Sequence, residues 1–378
     1  AAKYYLYDSE EQELQYRHDK SKAQLDRVLE LYRQHLTEDH AAYIEYYRKL
    51  GIWYHVVGKM ETAVEYALKA LEISIQNHGE RHIQTASVYC DVAVAYWALG
   101  DFDKAMEHGQ RALDLNLELL GEDNIQTAKN LMVTGNLWAC KGLPRKAIEH
   151  YLRALEIQRK ICGENSTITA FTYNNLGNVA IGMGDYNQAL AYLEKSAAIH
   201  TAAKPPSLPG QSSCYSNMAH VYLLKGEFDQ AIATYKMVQD LRIESIGPRH
   251  PYTINALNHL GDCYVKKGDL EQAWHYYQTA EAELETIYPD CYPYLSNSKS
   301  GLGDILSKKG EYLRALEYFQ AALLPDHLPL GMRYYYNPDV LASISDTLAR
   351  LGRLTEALEY SKKALALTTR GVGKDHSS

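Results

Sequence analysis

Residues 168–199 read ITAFTYNNLGNVAIGMGDYNQALAYLEKSAAI. Apolar residues recur there at three- and four-residue spacing on both sides of Gly184, which predicts two amphipathic helices and no strand. Gly184 stands where the first helix has to end, and glycine accepts the positive φ that such an ending uses. Gly177 and Ala189 lack bulk and predict a close approach of the two helices, with Leu176 and Tyr192 filling the space beside them. A single hairpin of this kind cannot bury its apolar face alone.

The rest of the chain supplies the missing neighbours. Glycine recurs every 42 residues at Gly58, Gly100, Gly142, Gly184, Gly226, Gly268, Gly310 and Gly352. Five residues after each stands an alanine, from Ala63 to Ala357, and seven before each a small residue, from Gly51 to Ser345. One unit is therefore copied eight times, and stacking of copies completes the core. The expected organisation is a capping region over 1–40, eight units over 41–370, and the start of a further link over 371–378. Within the charged stretch 8–36, Val28, Leu29 and Leu31 fall in the register of Ala70, Leu71 and Ile73, as in a degenerate closing helix. Gly373-Lys374-Asp375-His376 matches the register of Gly79-Glu80-Arg81-His82, so the chain reads as part of a longer protein.

In the first full copy, Tyr47, Leu50-Gly51, Tyr54, Ala63, Ala67 and Ala70 resemble the tetratricopeptide repeat signature. The resemblance runs from about residue 43 to 370. The 42-residue spacing, the links Gly79-Glu80-Arg81-His82 and Gly121-Glu122-Asp123-Asn124, and the run Tyr173-Asn174-Asn175-Leu176-Gly177 are similar to the kinesin-light-chain subtype. It implies an all-α fold, a right-handed α-solenoid of antiparallel helix pairs. Leu324-Pro325, Asn337-Pro338 and Lys363-Ala364-Leu365-Ala366-Leu367 bear a slighter resemblance to the repeat region of bacterial proteins with a caspase-like CHAT protease domain.

Composition limits the function classes. Of 378 residues 46% are apolar and 23% charged, ordinary for a folded chain, and no apolar run reaches membrane-spanning length. A net charge of -8 and the lack of a basic stripe argue against nucleic acid. Six cysteines without a CxxC pair fit reduced thiols in the cytoplasm. Phosphate-loop, GxSxG, HExxH and spaced Cys/His motifs do not occur. His78 and His82 are expected on different helices, and His108 and His150 replace tyrosines of other copies as packing residues. The expectation is a non-enzyme without cofactor or metal.

Specificity is sought in how the copies differ. The resemblance implies that first helices line a concave groove, with certain positions pointing into it. With Gly51 as the eighth position, the ninth reads Ile52, Val94, Asn136, Asn178, His220, Asp262, Asp304 and Asp346. Ile52, Val94, Trp97, Met132 and Val133 give an apolar zone. Asn136, Asn174, Asn175, Asn178, Asn217, His220, Asn255, Asn258 and His259 give an amide-rich one, and the three aspartates an acidic one. Amides carry donors and an acceptor, so such a ladder can grip an extended peptide backbone; the other reading is that these amides tie adjacent copies together. The aspartates read as i,i+4 partners of Lys266, Lys308 and Arg350. A co-chaperone carboxylate clamp is rejected, since its basic positions are here Asn174, Asn178, Asn217, Asn255 and His259. Residues 201–212 and 325–338 read as divergent loops, the second carrying Tyr334, Tyr335 and Tyr336 as a secondary contact. The chain is thus expected to be a protein- or peptide-binding scaffold, or a sensor arm of a larger enzyme with an intramolecular partner.

Overall fold

The computed structural model describes residues 18–56, 59–287, 292–325 and 330–371, with side chains left out near the edges of these stretches. Among them are seventeen helices and no strand. In chain order these are α1 (His18–His35), α2 (Ala42–Val56), α3 (Met60–His78), α4 (Ile83–Leu99), α5 (Phe102–Leu120) and α6 (Ile125–Cys140). Next come α7 (Pro144–Cys162), α8 (Thr167–Gly182), α9 (Tyr186–Ala202), α10 (Leu208–Lys225), α11 (Phe228–Ile246) and α12 (Pro251–Lys267). The last are α13 (Leu270–Ile287), α14 (Tyr292–Lys308), α15 (Tyr312–Ala322), α16 (Leu330–Arg350) and α17 (Leu354–Gly371). Successive helices pack on one another, so the fold is the expected all-α solenoid of helix pairs. The chain forms two compact units, the first running to Val179 and the second starting at Ala180.

Each hairpin turn follows from its glycine. Gly100 adopts φ 88° and ψ 8°, and its N–H donates to the Trp97 carbonyl while that of Asp101 reaches Tyr96. The left-handed glycine thus satisfies carbonyls that the helix end would leave open. Asp101 then caps α5 by accepting from the Lys104 N–H at 3.1 Å.

The small column makes room for rings. A Cβ built on Gly135 would lie 2.7 Å from the Tyr151 ring, one on Gly261 2.7 Å from Tyr277, and one on Gly303 2.8 Å from Phe319. In the quoted copy the residue at the equivalent register is Leu193, which is fully buried, whereas Tyr192 is only half-buried. The gap-filling position is therefore one residue later than Tyr192. Gly301 of the following copy also faces Tyr277, at 2.4 Å from an added Cβ. The Tyr277 ring is thus held between two glycines.

The links are stapled in register. Thr85 donates to the Gly79 carbonyl at 2.8 Å, and Thr127, Thr169 and Thr253 repeat this at 2.9 Å to Gly121, Gly163 and Gly247. Link glutamates pair outward, Glu80 with Arg111 at 2.8 Å and Glu122 with Arg153 at 3.4 Å. Exposed pairs of this kind are worth little, ~0.2–1 kcal/mol.

The divergent links depart from expectation. Helix α9 runs to Ala202 and α10 starts at Leu208, so Pro209 and Gly210 are helical. There the ring of His200 takes the space that a Gly210 Cβ would need, at 2.4 Å. Of residues 325–338, those from Leu330 onward belong to α16, with Pro338 inside the helix, so most of that stretch is no loop. At the other end, Val28 and Leu29 of α1 pack against the first hairpin's core, whereas Leu31 is 44% exposed. Residues 372–378, with the register match at Gly373, lie outside the described residues.

Candidate functional site

In the first unit the amides sit on α6 and α8. Asn136, Asn174 and Asn175 are buried, and Asn178 is exposed. The Asn136 carbonyl oxygen accepts a short hydrogen bond from the Tyr151 hydroxyl and a 3.4 Å one from the Asn175 amide, which joins two adjacent copies. Met132 and Val133 are also buried, so the expected apolar surface of the early copies is narrower than the sequence implies, with Ile52, Val94 and Trp97 partly open. Met132 faces inward, where Thr172 donates to its sulfur at 3.1 Å.

In the second unit Asn255 and Asn258 are buried, Asn217 and His259 half-buried, and His220 exposed. Asn258 donates to Asn255 at 3.0 Å and to the Tyr294 carbonyl at 3.1 Å, and accepts from Ser298 at 2.7 Å. Its amide therefore ties α12 to α14, as in the alternative reading of the ladder. The neighbouring His259 is fixed from two sides. Its ring stacks on Tyr235 with centroids 5.1 Å apart, and its Nε2 lies 3.2 Å from the Asn255 amide.

Asp262 is the hub of this region. The Tyr277 hydroxyl donates to one carboxylate oxygen at 2.5 Å, and the other lies 3.7 Å from His259 Nδ1. Burial and the Asp262 charge raise the Tyr277 phenol well above its usual range, so it stays a neutral donor. Burial, then the nearby His259, lower the pKa of His220, an effect that Asp262 opposes. Asp304 is one copy further on and exposed, yet its partial desolvation pushes its carboxyl up to about 6, with Asp262 adding to the shift and Lys308 and Lys266 opposing it.

Only one of the three expected i,i+4 ion pairs forms. Asp346 accepts from Arg350 at 2.7 Å, whereas no ion pair within 4.0 Å joins Asp262 to Lys266 or Asp304 to Lys308. Asp304 has no hydrogen bond among the described residues, because Phe319 occupies the place that Tyr277 holds beside Asp262.

The four other histidines that stood out in the sequence pack against neighbours. His82 caps α4 through the Gln84 N–H and stacks on His78, which closes α3. His108 stacks on Tyr96 with centroids 5.5 Å apart, and His150 meets the Thr134 hydroxyl at 2.7 Å. Cys90, Cys214 and Cys263 are buried and free, but Cys140 is exposed, so the thiols are not uniformly interior. Among the described residues no group of three His, Cys, Asp or Glu side chains could hold a metal ion. No described helix is long and apolar enough to cross a membrane. The side chains of Tyr334, Tyr335 and Tyr336 lie outside the described residues, so the secondary contact is untouched by this geometry.

Family models described as tetratricopeptide repeat match residues 53–118, 135–202, 211–282 and 339–378. The chain belongs to the tetratricopeptide repeat family. A comparison with curated proteins gives no match. Among solved structures, a Rap protein complexed with Competence and Sporulation Factor is similar over 98% of this chain and 97% of its own, at 14% identity and a TM-score of 0.64. BtubC (BKLC) from P. vanneervenii matches 62% of this chain and 92% of its own, at 22% identity and a TM-score of 0.50. A Podosopora anserina putative kinesin light chain with TPR-like repeats matches 66% of this chain and 98% of its own, at 14% identity and a TM-score of 0.33.

Two parts of this tetratricopeptide array escape a residue-type reading. The threonine staples at Thr85, Thr127, Thr169 and Thr253 had a signal, their own 42-residue spacing. The Tyr277–Asp262 bond joins residues fifteen apart, a separation with no local signature but repeated by Tyr151 and Asn136.

Proposed function

We propose that this chain is a non-enzymatic protein- or peptide-binding scaffold, acting in the cytoplasm, whose first helices carry the recognition surface. The carrying observation is the ninth position: Asn178, His220, Asp262, Asp304 and Asp346 are all exposed while the small residue before each is buried. A side chain placed there is held by a packed backbone and still faces solvent, as recognition requires. The buried amides Asn136, Asn174, Asn175, Asn255 and Asn258 hold the helices in register, and Asn178, Asn217, His220 and His259 meet the partner within their own units. The Rap protein of similar fold, crystallised with Competence and Sporulation Factor, supports the reading by analogy of fold alone.

The test is selection from a random twelve-residue peptide library against the whole chain. The double variant Asn217→Ala/His220→Ala is expected to weaken a selected peptide at least tenfold, about 1.4 kcal/mol, while the chain stays folded by circular dichroism. Asn258→Ala is expected instead to lower the melting temperature, since three hydrogen bonds, two of them buried, go with it. Normal binding by the double variant contradicts the proposed surface.

A further inference from the structure

Among the described residues, α15 is the second helix that stops early. It covers eleven residues, whereas α5, α7 and α11 each cover nineteen and end at Leu120, Cys162 and Ile246, all in the register of Leu330. Helix α15 thus ends about two turns short, beside the end of α13 and the start of α14. The chain leaves the helix at Leu323, which is extended, with φ −62° and ψ 129°. Leu324 is then clamped on both sides by Asn337. Its N–H donates to the Asn337 side-chain oxygen at 2.8 Å, and its carbonyl accepts from the Asn337 amide at 3.2 Å.

Beside the shortened helix lies a cavity of about 350 Å³. Its apolar walls are Leu295 of α14, Ala322, and the stretch Leu323-Leu324-Pro325. Leu295, Ala322 and Leu324 are buried and the Asn337 clamp fixes the last of them, so these walls are preformed. Ligand pockets begin at roughly 300 Å³, so this one admits a single large side chain and little more.

The polar edge of the cavity is Lys299 and Glu285, which pair with each other at 2.9 Å. The pair cancels its own charge but still offers N–H donors and carboxylate lone pairs. Burial, then the like charge of Glu285, raises the nearby Glu281 carboxyl, an effect that Lys299 opposes, so the surroundings do not favour an added anion. An uncharged amide carries one donor and one acceptor, as every non-proline residue inside a chain does. Apolar walls with a neutral donor–acceptor edge therefore match a residue of a polypeptide, with its side chain inward and its N–H and C=O toward Glu285 and Lys299.

We propose that this cavity is a second peptide-contact site, which takes a large aliphatic or aromatic side chain of a partner chain. It uses none of the ninth-position residues, so it stands or falls apart from the groove reading.

Methyl NMR of the whole chain tests it, with N-acetyl-phenylalanine methylamide as the probe. Saturable shifts are expected at the methyls of Leu295, Leu323 and Leu324. None are expected with the glycine analogue, which has the amide edge without the side chain. Ala321 is exposed and lines the cavity. Ala321→Trp is expected to plug it and weaken the probe at least fivefold, with the chain still folded by circular dichroism. Lys299→Met keeps the stem, removes the donors and is expected to weaken the probe at least twofold. Absence of any shift, or shifts that ignore either substitution, overturns the inference. Tighter binding of free phenylalanine than of its amide also overturns it, since the site would then read the charges of a zwitterion. The groove reading is judged separately by Asn217→Ala/His220→Ala, and none of these outcomes touches it.

Discussion

Tyr277→Ala lowers the stability of the second unit by about 3–5 kcal/mol, the cost of emptying a buried aromatic site. The site collapses poorly because two of its walls are already backbone. Gly261 and Gly301 face the ring from two successive copies, and neither has a side chain to move into the void. Tyr277→Phe keeps the ring and loses only the bond to Asp262, so it costs far less and frees the carboxylate. Gly301→Ala tests the same slot from outside, since its Cβ would lie 2.4 Å from the ring and overpacking costs about 1–3 kcal/mol. Urea unfolding of the three variants checks the order, with Tyr277→Ala lowest. A Tyr277→Phe variant as unstable as Tyr277→Ala would mean that the hydroxyl, not the ring, holds the copies together.

Acid weakens the second unit. Burial lowers the pKa of His200 to about 4, and burial together with Arg242 does the same to His250. Both side chains are buried, His200 against Gly210 and His250 as the cap of α12 through the Tyr252 N–H. In the unfolded chain a histidine titrates near 6.5, so below that pH the unfolded state binds protons that the folded state refuses. Stability is thus intact above about 6.5, falls as pH drops, and levels off near 4, by about 3 kcal/mol for each histidine. Within this unit the lowered His220 acts in the same direction, and the raised Asp304 in the opposite one. Chemical denaturation from pH 7.5 to 4 is expected to show this slope, flattened in His200→Gln and in His250→Asn, where the amide keeps the cap. Parallel slopes in wild type and variants would place the acid sensitivity elsewhere.

The fold was legible because its signals are local and copied. A glycine that ends one helix, an alanine that admits another, and a 42-residue period recur until no other architecture fits. The site was legible only in outline. The ninth column gives a sequence of residue types, but Asn136 and Asp262 occupy the same position in their copies and differ in burial. Burial depends on the residues fifteen positions on and in the next copy, which no short window contains. The same holds for Asp304, whose open carboxylate follows from a phenylalanine on α15. Residues 330–338 misled for another reason: Pro338 and three tyrosines look like a loop, yet a proline is tolerated inside α16.

The central claim is that partners are read by first helices. Hydrogen–deuterium exchange of the whole chain, with and without a library-selected peptide, tests it most directly. The account predicts that slowed exchange is confined to first helices, with the second unit protected at α10, α12 and α14 around His220, Asp262 and Asp304. Protection confined to second helices such as α11 and α13, with α10, α12 and α14 unchanged, would contradict it.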